Sequence, residues 1–224
     1  PYPTPFPTSD RLNRQLPFDV HIKAECLQRT GSFKFRGACN AVFSLTQPGQ
    51  PVIAFSSGNH AQAVALAALL SGRKATIIMP EDAPQAKIDG TRAYSAEVVL
   101  YDRYSESREE IGKKLASEQG AELIRPYDDA RVIAGQGTAG LEIAAQAKAA
   151  GFTPDSFICC CGGGGLMAGS ATALHDAFPS THLYTAEPAD FDDMARSLAS
   201  GKRQQNDVSA RSICDAIVTP TPGE

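Results

Sequence analysis

The sequence predicts an α/β protein built on two open parallel sheets. Short apolar runs alternate with helix-type segments from residue 51 to residue 126, and the same alternation resumes afterwards. Repeated strand–helix units of this length are typical of parallel sheets with helices on their faces. The 224 residues are 42% hydrophobic and 21% charged, as in globular proteins that form one large domain or two small ones.

The first series contains four strands, each followed or preceded by a helix. The strands are predicted at residues 51–56, 74–80, 97–102 and 121–126. An Ala/Leu-rich helix begins at Asn59 and ends near Gly72, and Pro84 is a suitable start for the next helix. A charged amphipathic helix follows the third strand and ends at Gly120.

The second series follows a turn at residues 126–130, which we interpret as a crossover between domains. Helices are predicted at 135–151, 166–178 and 190–202, and strands at 155–161 and 181–188. The Pro-rich first ten residues are expected to be extended.

Composition and charge exclude several classes of function. The net charge is −4 and no basic patch is present, so nucleic acid is not an expected partner. No apolar run is long enough to span a membrane, and the first residues do not resemble a signal peptide. The six cysteines lack metal-site spacing, and we expect them to be reduced in a cytoplasmic protein.

The glycine run at 162–165 is the strongest candidate for a ligand site. It lies between a predicted strand and a predicted helix. Glycine lets the backbone approach a ligand closely, and the following helix N-terminus offers free N–H groups and a positive dipole end. This combination favours a phosphate, although the Lys-Ser/Thr of a P-loop is missing.

Two other strand ends carry polar residues with two possible roles each. The loop Ser56-Ser57-Gly58-Asn59-His60 could hold a carboxylate at a helix N-terminus, or it could simply cap the helix. The acidic stretch from Glu187 to Asp193 could bind a divalent cation, or it could be a helix start enriched in acids.

Lys34 lies between Phe33 and Phe35 in the stretch TGSFKFRG. Its stem could cover apolar surface while its amine stays in water. Alternatively, the amine could lie in a pocket where loss of water favours its neutral, nucleophilic form. A reactive lysine, a phosphate cradle and a carboxylate site together suggest pyridoxal 5′-phosphate and an amino-acid substrate.

Four motifs in this order resemble those of fold-type II pyridoxal-phosphate enzymes, which share the tryptophan synthase beta-like fold. The motifs are ECLQRTGSFKFRGA, SSGNHAQA, AGQGT and CGGGGLMAG. They are most similar to those of serine/threonine dehydratases and serine racemase.

The resemblance implies a complete set of cofactor contacts. Lys34 matches the lysine that forms the internal aldimine, Phe33 packs against the cofactor ring, and Asn59 binds the ring hydroxyl. The phosphate loop comprises Gly162, Gly163, Gly164 and Gly165, followed by Met167.

The resemblance also implies substrate and metal residues. Ser56, Ser57 and His60 lie in the loop that receives the substrate carboxylate, and Ser57 matches the serine that acts on the face opposite Lys34 in racemases. A divalent cation, Mg²⁺ or Ca²⁺, is implied at Glu187, Asp193 and the Phe191 carbonyl.

The same resemblance implies a domain plan. Residues 51–128 correspond to the small domain. Residues 1–46, with the lysine, and 129–224, with the phosphate loop, correspond to the large domain. Members of the family continue well past this chain's last residue, so the large domain is expected to be incomplete and the full-length form to be a homodimer.

We therefore expect β-elimination of a hydroxy amino acid such as L-serine or L-threonine, giving a 2-oxo acid and ammonia. Serine racemase and 3-hydroxyaspartate dehydratase activities remain alternatives. A β-replacing synthase usually carries TSGNTG where this chain has SSGNH. A non-enzymatic, truncated cofactor-binding fragment is the alternative outside enzymes.

Overall fold

The computed structural model describes residues 1–224, which divide into two compact units, 1–135 and 136–224. The division into a small domain at 51–128 and a large domain made of 1–46 and 129–224 stays a prediction. No helix in the structure combines the length and the apolar character needed to cross a bilayer.

The first unit contains four strands and five complete helices. The strands are β1 (Val52–Phe55), β2 (Ala75–Pro80), β3 (Glu97–Tyr101) and β4 (Glu122–Leu123). The helices are α1 (Asp10–Asn13), α2 (Lys34–Phe43), α3 (Asn59–Leu70), α4 (Gln85–Arg92) and α5 (Arg108–Gln119). The first nine residues form neither helix nor strand.

The four strands form one parallel sheet in the order β3-β2-β1-β4. From β1, the chain passes to β2 and β3 on one side, and it returns through α5 to β4 on the other side. The strand order therefore reverses between β1 and β4. In open parallel sheets, ligands bind beyond the carboxyl ends of the strands at such a reversal.

Apolar residues cover both faces of this sheet. The larger core joins α2 and α3 to one face and includes Phe35, Val64 and Ile77. The smaller core joins α5 to the opposite face around Ile53 and Ile78. Burial on both faces explains why the central strands β1 and β2 are continuous apolar runs rather than alternating ones.

The second unit has a two-stranded parallel sheet and two complete helices. The strands are β5 (Ser156–Cys160) and β6 (His182–Ala186), and the helices are α7 (Gly165–Ala177) and α8 (Asp193–Ser200). The long helix α6 (Ala130–Ala149) begins in the first unit and continues into the second. Its Gly140 lies against α7, where an added Cβ would be 2.7 Å from the Ser170 carbonyl oxygen.

The predicted α/β fold class and its parallel strands are confirmed, with three local differences. Strand β4 has two residues instead of the six predicted at 121–126. Helix α6 begins at Ala130, five residues before its predicted start. Helix α8 begins at Asp193 after a short 3₁₀ turn at Ala189–Phe191, not at residue 190.

Candidate active site

The carboxyl ends of β1 and β4 in the first unit bring Lys34 and His60 to the same short segment. The Lys34 amine donates a hydrogen bond to the Pro126 carbonyl at 2.8 Å. The His60 Nε2 lies 2.9 Å from the Ile124 carbonyl. The carbonyls of Ile124 and Pro126 bind side chains from α3 and α2 instead of a neighbouring strand. Strand β4 therefore ends at Leu123.

The Lys34 amine is placed in a setting that favours its neutral form. Burial lowers the pKa of this amine from 10.5 to about 8, because a charge loses water there. The amine lies 5.2 Å from the centre of the Phe33 ring, so the flanking aromatic forms one wall of its surroundings. Of the two interpretations of this lysine, the structure favours the pocket over the solvent-exposed amine.

His60 is buried and neutral. Burial, with the charge of Lys34 as the second cause, lowers the pKa of its imidazole to about 3. Since a carbonyl only accepts, Nε2 carries the proton and donates it to Ile124, which leaves Nδ1 without a hydrogen-bond partner. The ring thus links α3 to the end of β4, and any binding of the substrate carboxylate by this residue would involve its backbone N–H.

Helix α3 begins at the switch in strand order with its N-terminus open. Its N-cap is Gly58, and no side chain accepts a hydrogen bond from its first turn. Of the two roles considered for this loop, capping by a Ser or Asn side chain is not seen: the Ser56 hydroxyl instead accepts from Gly58 N at 3.2 Å. Ser57 and Asn59 are exposed, so their polar groups and the free N–H groups face solvent-accessible space.

Three cations surround this loop, and the sequence analysis missed their role. A cavity of about 40 Å³ has these lining residues: Ser56, Ser57, Pro80, Tyr101, Arg103 and Arg108. The Arg108 guanidinium also lies 5.2 Å from the centre of the Phe55 ring. The Lys87 side chain packs against Gly58, with its amine 3.4 Å from where a Cβ would be. Three basic side chains thus lie beside the loop, two of them also paired with carboxylates, Arg103 with Asp82 and Arg108 with Glu109.

A buried ion pair fixes the first turn of α2, which carries Lys34. Arg36 is fully buried and donates to both carboxylate oxygens of Glu25, at 2.7 and 2.8 Å. The Thr4 hydroxyl donates to the same carboxylate at 2.5 Å. On another side, α2 touches α6 so closely that a Cβ at Gly135 would lie 2.6 Å from the Arg36 carbonyl oxygen. Such contacts leave the helix little freedom to move.

The glycine loop of the second unit links β5 to α7. Gly164 is the N-cap of α7 in the left-handed region at φ 89°, and no side chain caps the helix. A Cβ at Gly164 would be 2.9 Å from Met194 Cε. Met167 lies in the first turn of α7 and is half-buried. The open helix start and the lack of side chains on the loop fit an incoming phosphate.

In the acidic stretch after β6, Glu187 caps the N-terminus of α8. The two Glu187 carboxylate oxygens accept from the backbone N–H groups of Met194 and Ala195, each at 3.0 Å. Asp193 is buried, and its Oδ1 accepts from Asn206 while Oδ2 has no partner. No cluster of three or more His, Cys, Asp or Glu side chains is arranged to hold a metal ion. The predicted cation at Glu187, Phe191 and Asp193 is thus not supported by the side-chain arrangement.

Two features match the chemistry of pyridoxal phosphate. The first unit supplies a buried amine of lowered pKa, suited to an aldehyde carbon. The second unit supplies a glycine cradle with open helix N–H groups, suited to a phosphate. Each unit thus carries a group suited to one end of an aldehyde cofactor that bears a phosphate.

The chain belongs to the pyridoxal-phosphate dependent enzyme family, whose model matches residues 1–224. Among curated relatives, it is 44% identical over 223 residues to an L-threo-3-hydroxyaspartate ammonia-lyase from Saccharomyces cerevisiae, covering 99% of this chain and 67% of that protein. It is 43% identical over 201 residues to a serine racemase from Arabidopsis thaliana, covering 89% of this chain and 60% of that protein.

A solved structure shows the same fold. The threonine deaminase of T.th. superposes with a TM-score of 0.93 at 46% identity, covering 100% of this chain and 71% of the deaminase. The chain therefore spans about two thirds of the length of the relatives it matches. Their ammonia-lyase, deaminase and racemase names agree with the class of reaction expected from the motifs.

Proposed function

We propose that the protein containing this chain catalyses pyridoxal-phosphate-dependent β-elimination of a hydroxy amino acid such as L-serine or L-threonine. The products are a 2-oxo acid and ammonia. The observation that carries this proposal is the Lys34 amine, which lies at the reversal of strand order, has a lowered pKa and is bound to the Pro126 carbonyl at 2.8 Å. The family and the ammonia-lyase relatives support the same class of reaction.

Lys34 has the two properties that such a reaction needs from a protein. With a pKa of about 8, about one amine in ten is neutral at pH 7, against about one in three thousand for an ordinary lysine. A neutral Lys34 amine would hold the cofactor through its aldehyde carbon, with loss of water, and the same amine, once released, would accept the proton from the substrate Cα. When bound, pyridoxal phosphate supplies the electron sink for the carbanion left at that carbon.

The other residues orient the substrate and the cofactor. The open N-terminus of α3 and the hydroxyls of Ser56 and Ser57 are suited to the substrate carboxylate. Asn59 follows in the first turn, where we propose that it binds the ring hydroxyl. Ser57 would exchange a proton on the face opposite Lys34, which gives racemisation rather than elimination. His60, held neutral, is not proposed as an acid or base.

A second candidate substrate is 3-hydroxyaspartate, and the arginine-lined cavity favours it. This substrate carries a second carboxylate, and Arg103 and Arg108 line the cavity next to Ser56 and Ser57. Arginine binds carboxylates through two parallel N–H groups. Arg103 is already paired with Asp82 at 2.6 Å, and Arg108 with Glu109 at 2.8 Å, so both guanidinium groups are held in place. The relative from Saccharomyces cerevisiae is named for this substrate.

One panel of assays tests both substrates. The full-length protein, loaded with pyridoxal phosphate, is given L-serine, L-threonine and L-threo-3-hydroxyaspartate, and 2-oxo acid and ammonia are measured together. We expect equal amounts of both products from at least one substrate. Replacing Arg108 by Met should lower kcat/KM for hydroxyaspartate by about tenfold or more and change it for L-serine by less than about threefold, because one charged hydrogen-bonding partner is lost.

The control for the arginine is Arg92→Met, because Arg92 is half-exposed on α4 and its nearest ion-pair partner, Asp89, is 4.0 Å away. This change should leave all three rates unchanged. Equal losses for serine and hydroxyaspartate in the Arg108 variant would remove the case for a second-carboxylate site. No 2-oxo acid from any of the three substrates would remove the lyase function itself.

We also propose a divalent cation, Mg²⁺ or Ca²⁺, bound by Glu187, Asp193 and the Phe191 carbonyl. The support is the family resemblance and one observation: Asp193 Oδ2 is buried without a partner, which is costly unless a cation or donor joins it. An ion that binds only the folded state should raise the melting temperature. A melting temperature in metal-free buffer that does not change on adding about 1 mM Mg²⁺ or Ca²⁺ would end this proposal.

Two expectations from the sequence stay predictions. A homodimer is expected from the resemblance to the family, and a cytoplasmic location from the cysteine usage.

A further inference from the structure

The segment after α8 covers the glycine loop of the second unit. We call residues 204–223 the strap. A Cβ placed on Gly162 would be 3.2 Å from Ile217 Cα and 3.3 Å from Thr219 Cγ2. The backbone N–H of Gly223 donates to the Gly163 carbonyl at 3.2 Å. The strap is thus in direct contact with two of the four glycines and limits where the loop can lie.

The buried side chain of Asn206 makes the largest set of contacts within the strap, and the Thr221 hydroxyl adds a bond to the Gln204 carbonyl at 3.0 Å. Asn206 donates from Nδ2 to Asp193 Oδ1 at 2.6 Å and to the Thr219 carbonyl at 2.8 Å. Its Oδ1 accepts from Arg196 Nη2 at 2.6 Å. Its backbone N–H donates to the Pro220 carbonyl at 2.9 Å. Asn206 therefore joins the two ends of the strap, near 206 and near 219–220, and ties both to α8.

Helix α8 is itself fixed at the positions that bind Asn206. Arg196 donates to Asp192 at 2.6 Å and to the Gln205 carbonyl at 3.2 Å, so its guanidinium is held before it meets Asn206. The N-terminus of α8 is capped by Glu187, which follows β6. The Met194 side chain from the same turn lies against Gly164. A chain of contacts thus runs from β6 through α8 and Asn206 to the glycine loop.

We propose that Asn206 is a positioning residue for the cofactor phosphate: it acts through the strap to hold the glycine loop in its phosphate-binding form. The proposal rests on binding of pyridoxal phosphate, the cofactor of the proposed function, and not on the identity of the amino-acid substrate. Two of the three side-chain hydrogen bonds of Asn206 involve a charged group and are therefore the stronger kind. Their loss leaves Asp193 and Arg196 with unfilled hydrogen-bonding groups.

The test compares two ligands that differ only in the phosphate. Binding of pyridoxal phosphate and of pyridoxal to the full-length protein is titrated by visible absorbance, for the unchanged protein and for Asn206→Ala. We expect the variant to bind pyridoxal phosphate about tenfold or more weakly and to bind pyridoxal within about twofold of the unchanged protein. The matched control is Gln205→Ala, an exposed neighbour in the strap, which should change neither affinity.

A second measurement uses the unchanged protein, so it does not depend on a variant that folds. Hydrogen exchange of residues 204–223 should slow on adding pyridoxal phosphate and slow less on adding pyridoxal. Equal weakening of both ligands in Asn206→Ala, or equal exchange with both ligands, would show a general structural role and overturn the proposal. Because binding is measured without substrate, loss of lyase activity would contradict the proposed function and leave this result standing.

Discussion

Helices α5 and α7 both follow a strand of a parallel sheet, yet their first turns are built in opposite ways. Helix α5 has Ser107 as its N-cap, whose hydroxyl accepts from Glu110 N, and two glutamates lie in its first turn. Helix α7 has Gly164 as its N-cap, with no capping side chain and no acid in its first turn. Helix α5 thus has a side-chain acceptor and acids at its N-terminus, whereas α7 has neither, so the first N–H groups of α7 are open to an anion.

A missing cap alone does not mark a site. Helix α4 also begins without a capping side chain, after Pro84, and no glycine loop precedes it. At α7 the missing cap is combined with four consecutive glycines and a left-handed N-cap, and at α3 it is combined with neighbouring cations. The comparison teaches that an anion site is recognised from an open helix start together with backbone room or positive charge.

The largest loss of cofactor affinity is expected from Gly164→Ala, which changes the N-cap of α7. Alanine is strained at φ 89°, so the loop backbone must change to accept it, whereas the Met194 methyl, 2.9 Å from the new Cβ, ends a flexible side chain that can move. We expect the affinity for pyridoxal phosphate, titrated by visible absorbance, to fall by about tenfold or more, which corresponds to about 1.4 kcal/mol. An unchanged affinity would show that the shape of the loop does not matter for the cofactor.

The control at the other helix start is Ser107→Ala, with the smallest expected effect. It removes a cap and should lower the free energy of unfolding by about 1 kcal/mol, measured by urea denaturation. The affinity for pyridoxal phosphate should stay within about twofold, since α5 satisfies its own N-terminus. A large loss of cofactor affinity in this variant would mean that the two helix starts are not different in kind.

Much of the fold was predictable because its signals are local. Continuous apolar runs in the sequence predicted β1, β2 and β3. The glycine stop predicted for α5 is also seen, since Gly120 ends this helix in the left-handed region. Strand β4 was over-predicted because the sequence does not show that the carbonyls of Ile124 and Pro126 bind His60 and Lys34 instead of a neighbouring strand.

The candidate site was predictable where one short stretch carries the chemistry and not where distant residues meet. CGGGGL alone indicated a loop open to a phosphate, and TGSFKFRG offered a pocket as one of two environments for Lys34. The cations Lys87 and Arg108 were missed because nothing in their own helices distinguishes them from solvent-facing charges. Their position beside Ser56 and Gly58 depends on the order of the strands, which only the folded sheet provides.

The assignment of Lys34 as the cofactor-binding lysine is the central claim, and one measurement tests it directly. The full-length protein is loaded with pyridoxal phosphate, reduced with borohydride and digested, and the pyridoxyl group is located by mass spectrometry. Our account predicts the group on Lys34, whose amine has its pKa lowered to about 8, and loss of the visible absorption band in Lys34→Ala. A pyridoxyl group on Lys87, beside Gly58, or on Lys23, which is bound to the Thr4 carbonyl, would contradict it.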